Sequence, residues 1–248
     1  MFNKRKLAGV VMLVAAIGCV SYLVYQMAEK EENENVYDKL QEEVKVEDIE
    51  APEEEEYVCP IDFDALHQVN PDIYAWIEIP GTEIRYPIVQ SPTDDTYYLN
   101  HTIEGKSGYP GSIYTESLNS REFEDYNTII YGHNMKDGTM FKGLHNYEDP
   151  EYMRAHPTVE IYTPEKKFTY RIFAAGVNSD MHILKGYDFT NPDHREAYLE
   201  SIRNARNMKN FFDESVVVDK EDKLLTLSTC IGGQADKRYL VEAVLMDE

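Results

Sequence analysis

Leu224-Leu225-Thr226-Leu227-Ser228-Thr229-Cys230-Ile231-Gly232-Gly233 is the stretch on which the fold turns. Leucines alternating with threonines and serine favour a strand, and the paired glycines stop it. Such a strand holds its last side chain, Cys230, on a rigid element with open backbone space beside it. Eight residues on, Arg238 begins a second β-forming run, Tyr239-Leu240-Val241-Glu242-Ala243-Val244. Hairpin geometry would bring Arg238 back beside Cys230.

Reading outward, similar short runs recur. Ala75 to Ile79 and Glu83 to Ile88 flank a Pro80-Gly81 turn, as a hairpin would. Gly111 to Tyr114, Thr128 to Tyr131, Val159 to Tyr162 and Phe168 to Phe173 add four more candidates. Their spacing predicts a mainly β domain, a barrel or a sandwich. Helical signals are sparser. Pro192 to Met208 places Ala197, Tyr198, Ile202 and Ala205 at helical spacing behind Asp193. Phe63 to Val69 and Met140 to Tyr147 are shorter candidates.

Charge divides the 248 residues into three segments. The chain has 46 acidic and 24 basic residues and a net charge of −22, which argues against a nucleic-acid partner, since that needs a basic face. Lys4-Arg5-Lys6 precedes an uncharged run from Leu7 to Met27, 21 residues long. An α-helix of about 20 apolar residues crosses a bilayer, so residues 1–28 read as an uncleaved signal-anchor with its amino-terminus in the cytoplasm; the rival is a cleaved signal peptide, whose apolar region is ordinarily shorter, ~7–15 residues. Residues 29–56 carry 14 acidic and 3 basic side chains and read as a solvated stalk. Residues 57–248 read as one extracytoplasmic domain.

Three scattered cysteines suit neither a disulfide framework nor a structural zinc site. Cys19 falls in the apolar run, and Cys59 sits at the domain boundary. A buried structural cysteine is the ordinary reading of Cys230, and a surface or satisfied core residue that of His133. Yet His133, in Tyr131-Gly132-His133-Asn134-Met135, also ends a strand-like run. Two strand-ending residues of these types suggest a Cys–His dyad. An arginine near a thiolate favours the ionised sulfur and can donate to an oxyanion on a scissile carbonyl. An ordinary surface ion pair is the alternative for Arg238.

Thr226 to Cys230 with Arg238 downstream resembles the active-site strand of the sortases, and Tyr131 to Met135 resembles their histidine motif. Asn70-Pro71-Asp72 through Trp76-Ile77, Pro80-Gly81-Thr82, Tyr97 to His101 and Asn127 to Phe141 resemble class B members more narrowly. The resemblance spans about residues 61–246. It implies a closed eight-stranded β-barrel with short helices, the Pro192–Met208 helix being the class B elaboration. It also implies a membrane-anchored cysteine transpeptidase of the Gram-positive cell surface. Cys230 would be the nucleophile, His133 the general acid and base, and Arg238 the oxyanion and substrate-positioning group. Leu99, Ser228 and Thr229 would line the groove for a C-terminal sorting signal of the Asn-Pro-x-Thr type. The acyl acceptor would be an amine of a wall cross-bridge or of a pilin lysine, and no metal or other cofactor is implied. Two rival classes are another Cys–His wall peptidase and an anchored, non-catalytic ligand-binding β-domain. An L,D-transpeptidase would be expected to show Ser-His-Gly-Cys where this chain has Leu-Ser-Thr-Cys, and a papain-like cysteine would start a helix.

Overall fold

The computed structural model describes residues 57–246 apart from positions 206 and 208, with scattered positions between 20 and 41. The chain divides into two units, residues 1–43 and 44–248. In the first, the described residues are helical. Most of the Leu7–Met27 run, Cys19 and much of the acidic segment lie outside the described residues. Among the described residues no helix is long and apolar enough to cross a membrane.

The described residues of the second unit contain nine strands: β1 (Ile73–Glu78), β2 (Arg85–Val89), β3 (Ile113–Tyr114), β4 (Asn127–Tyr131), β5 (Thr158–Tyr162), β6 (Lys167–Ser179), β7 (Phe211–Phe212), β8 (Leu224–Ile231) and β9 (Gln234–Leu245). They run in the order β5-β1-β2-β3-β4-β8-β9-β6, and β6 pairs with β5 again. Eight strands therefore close a barrel. The two-residue β7 adds to β6 beyond β5, Phe212 opposite Ala174.

Most neighbours are antiparallel, including the β1–β2 hairpin around Gly81, whose φ of +78° suits glycine. Two pairs are parallel, β2–β3 and β4–β8. The second matters most here. Tyr131 lies opposite Ser228, so β4 and β8 finish at the same end of the barrel.

Among the described residues of this unit, the helices are α1 (Phe63–Val69), α2 (Pro150–Ala155), α3 (Ile183–Gly186) and α4 (Pro192–Asn204), with 3-10 segments at Tyr97–Leu99 and Phe141–Glu148. The Asp62 carboxylate caps α1 by accepting from the Ala65 N–H at 2.9 Å. Asn191 caps α4 in the same way, and Pro192 opens it, a position that needs no amide proton. The helix stops at Asn204, short of the expected Met208, because Ala205 turns to extended backbone. Its buried face is Tyr198 and Leu199 rather than Ala197, which is exposed.

Leu224–Thr229 is buried on both faces of β8. Period-two alternation puts Leu225, Leu227 and Thr229 on one face and Thr226, Ser228 and Cys230 on the other. Across the ladder that second face continues into Glu242, Leu240 and Arg238. Tyr198 and Leu199 of α4 cover its inner end, in one cluster with Leu224, Leu240 and Val244. Fully burying a leucine-sized side chain contributes about 1.5–3 kcal/mol, so this apron of contacts anchors α4.

One acid lies under that cover. Glu242 is 2% exposed, and burial pushes its carboxyl up to about 7. Its two hydrogen bonds favour the charged form, and burial outweighs them. Tyr198 donates to Oε1 at 3.0 Å, while Thr226 Oγ1 lies 2.7 Å from Oε2 and 3.0 Å from Asn127 Oδ1. In the unfolded chain the acid ionises near its ordinary value of 4.5. Between that pH and about 7, the folded state holds a proton that the unfolded state has lost. Stability is therefore expected to fall as pH rises through this window and to level off above it, by on the order of 3 kcal/mol. Glu242→Gln, which copies the neutral acid, should flatten this slope in melting curves between pH 5 and pH 8. An unchanged slope would show that Glu242 is not the titrating group.

Candidate active site

The β8–β9 ladder sets Cys230 directly opposite Arg238, as the hairpin argument expected. Cys230 is exposed and makes no disulfide. Arg238 Nη1 donates to the Ala235 and Lys237 carbonyls at 2.9 and 2.8 Å. These bonds hold the guanidinium against its own hairpin. Among the described residues Nε and Nη2 make no hydrogen bond, which leaves two donors open.

His133 arrives from the neighbouring strand. The Gly132 N–H extends the β4–β8 ladder by donating to Ser228 O at 3.1 Å, and Phe141 N–H closes the following loop by donating to His133 O at 2.9 Å. Only glycine fits at 132. A Cβ there would lie 2.5 Å from Ile113 and 2.6 Å from the Phe141 ring. Gly132→Ala should therefore cost about 1–3 kcal/mol by overpacking, read as a lower melting temperature with a parallel loss of His133-dependent activity. A melting curve matching the wild type would refute the close-packing argument.

The imidazole is seated by Leu99. His133 Nε2 lies 2.6 Å from the Leu99 carbonyl, which can only accept, so Nε2 carries the proton and Nδ1 is free to exchange one. That carbonyl is itself placed by the Asn70-Pro71-Asp72 motif. Asn70 Nδ2 donates to the Tyr98 hydroxyl at 2.8 Å, and that hydroxyl donates to Asp72 Oδ2 at 2.7 Å. Together they hold the Tyr97–Leu99 turn. Gly111, at φ +72°, lets the turn approach, since a Cβ there would stand 2.6 Å from Leu99 O. Tyr109 packs on the His133 ring at 5.0 Å.

Cys230, His133, Arg238, Leu99, Ser228 and Thr229 all border one cavity of about 240 Å³. Leu99 shows it a side chain that is 44% exposed. Strand alternation aims Ser228 along the Cys230 face and Thr229 to the opposite one, so Thr229 borders the groove through its backbone. Among the described residues no hydrogen bond joins Cys230 Sγ to His133, whose Nε2 is occupied by Leu99. No cluster of three metal-ligating side chains occurs among the described residues.

The groove also takes Tyr114, Glu116 and His182, which had no signal in the sequence, and Tyr131, which opens the histidine motif. Tyr114 and Tyr131 stack at 5.3 Å in its wall. Burial first, then the Glu116 charge, pushes both phenols up, so they stay neutral hydroxyls. His182 Nε2 pairs with Glu116 Oε2 at 2.6 Å across the far wall. These residues come from separate strands and loops, and only the closed barrel brings them together. Asn134, next to His133 in the quoted motif, donates to the Cys230 carbonyl at 2.9 Å; its place in the motif was the available clue.

The family model described as the sortase domain matches residues 77–246. The chain belongs to the sortase family. Sortase B of Listeria monocytogenes is 37% identical over 166 residues, which is 66% of this chain and 65% of that protein. Sortase B from Bacillus anthracis superposes with a TM-score of 0.73 at 29% identity, covering 90% of this chain and all of the other. A Staphylococcus aureus sortase B–substrate complex gives 0.72, also at 29% identity, over 89% and 99%. The relatives are class B sortases, and this sortase is a cysteine transpeptidase by family. Its eight-stranded barrel is the one the sequence resemblance implied.

Proposed function

We propose that this sortase cleaves a C-terminal sorting signal of the Asn-Pro-x-Thr type and transfers the acyl fragment to an amine of a wall cross-bridge or a pilin lysine. The observation that carries this reading is the meeting of exposed Cys230, Arg238 opposite it and His133 from the adjacent strand in one groove. Cys230 is the nucleophile. Its thiol gives its proton to His133 Nδ1, the thiolate attacks the threonine carbonyl carbon, and the oxygen that gains charge is met by the free Arg238 donors. Collapse of that adduct breaks the peptide bond, leaving a thioester on Sγ. The departing amine takes its proton from His133 Nδ1, since Nε2 is committed to Leu99. An incoming amine then attacks the thioester and gives a proton to Nδ1; the thiolate leaves as the new amide forms, and the Nδ1 proton returns to Sγ to restore the thiol. Leu99 and Ser228 line the path of the peptide, with the Thr229 backbone beside them.

Residues 7–27 anchor the enzyme in the membrane with its amino-terminus in the cytoplasm, and residues 29–56 act as an acidic spacer to an extracellular barrel. The residues that support this are the 21-residue uncharged run and the Lys4-Arg5-Lys6 cluster before it. Full-length protein in detergent, mixed with a sorting-signal peptide library and a small amine, should yield a Cys230 thioester and a new amide by mass spectrometry. Failure of every peptide to form either species would refute the proposal.

A further inference from the structure

The regular ladder between β8 and β9 ends at the nucleophile. Cys230 pairs with Arg238, but the register then slips and Ile231 pairs with Gln234. On the other side β4 also stops short. The Gly132 N–H donates to Ser228 O, and in a parallel ladder the next donor, two residues on, would be the Asn134 N–H facing Cys230 O. The chain turns away instead, and Asn134 bridges to Met140. A strand carbonyl left without its ladder partner needs other donors.

Two side chains supply them. Asn134 Nδ2 lies 2.9 Å and His145 Nε2 3.1 Å from Cys230 O. The two nitrogens are 3.0 Å apart. In the tautomer with the proton on Nε2, His145 donates to that carbonyl beside Asn134; with the proton on Nδ1, Nε2 accepts from Asn134 Nδ2 instead. The His145 side chain, 14% exposed, is itself braced. Its ring packs on Tyr239 at 4.9 Å, and Nδ1 stands 3.5 Å from Glu148 Oε1. Glu148 in turn pairs with Lys209 at 2.9 Å. Beyond Cys230 the chain offers no comparable support: a Cβ on Gly232 or Gly233 would meet nothing within 4 Å.

We propose that Asn134 and His145 are positioning residues that clamp the Cys230 main-chain carbonyl and thereby hold the end of β8 with the thiol facing the groove. The activity readout rests on the transpeptidase reading above; the clamp itself does not.

In the full-length protein, Asn134→Ala and His145→Phe should each lower kcat about tenfold with KM little changed, because a small misplacement of a reacting atom is costly. Phenylalanine keeps the ring on Tyr239 but has no donor. His145→Gln restores a nitrogen at similar reach and should recover most of the kcat. Melting temperatures of all three should stay near the wild type. Wild-type kcat in the Asn134→Ala/His145→Phe double variant would overturn the clamp. So would a His145→Gln variant as slow as His145→Phe, or losses that track melting temperature. Alkylation of Cys230 by iodoacetamide, followed by peptide mass spectrometry, needs no substrate. It should slow several-fold in Asn134→Ala and in His145→Phe, and return toward the wild-type rate in His145→Gln. Altered alkylation with no peptide cleaved by the wild type would leave the clamp standing and refute the transpeptidase; unaltered alkylation with normal wild-type turnover would do the reverse.

Discussion

Cys230→Ala is expected to abolish both thioester formation and amide transfer while leaving the fold intact. The side chain is exposed at the end of β8, so removing the sulfur opens no core cavity, and melting should stay within the ±0.5 kcal/mol typical of surface changes. No other described side chain replaces it in the groove, since Ser228 on the same face is 5% exposed and two residues deeper. A nucleophile cannot be lost by degrees, so turnover should drop below detection rather than fall by a factor. Mass spectrometry of the protein after incubation with peptide checks this directly. Residual acyl-enzyme in the variant would place the nucleophile elsewhere.

Arg238→Lys should be the second-largest loss, about 10²-fold or more in kcat, again without unfolding. A guanidinium can bond the Ala235 and Lys237 carbonyls through Nη1 and still present Nε and Nη2 in a fixed plane. A lysine has one nitrogen. If it satisfies the hairpin carbonyls it has no fixed donor left for the developing oxyanion, and losing one such donor costs about 10²–10³. Steady-state kinetics with a fluorogenic peptide test it, alongside circular dichroism to confirm folding. Full activity in the variant would remove Arg238 from the mechanism.

The parts of this site that could be read from sequence were those governed by local rules. A hydrophobic run closed by glycines marked β8, and the eight-residue return marked Arg238. The Pro80-Gly81 turn between alternating runs marked the β1–β2 hairpin. Where propensity was weak, the reading stopped short. The second half of β6 runs through Ala174-Ala175-Gly176, residues with little β preference, and so passed unseen. β7 is two residues long and exists because β6 extends beyond β5. On the helix, Tyr198 and Ile202 pack on the core as the spacing expects, but Leu199 rather than Ala197 joins them. Least legible was the β4–β8 parallel pairing. Nothing local encodes which distant strand will lie alongside, so the motif around His133 could suggest a partnership with Cys230 but not the route. The Asn134–His145 contacts depend on that route, since they fill a carbonyl left open only where two ladders end.

The same pairing bears on when the enzyme comes into being. Asn134 and Cys230 stand 96 positions apart, and β8 must insert between β4 and β9 before they touch. Contacts of such long sequence separation form late and slowly. A nascent chain therefore makes its histidine loop well before it makes the cysteine, and the thiol acquires its neighbours only as the final strands dock. Competence for acyl transfer is then a report of completed folding: an unfinished copy carries a bare thiol and no chemistry to misdirect.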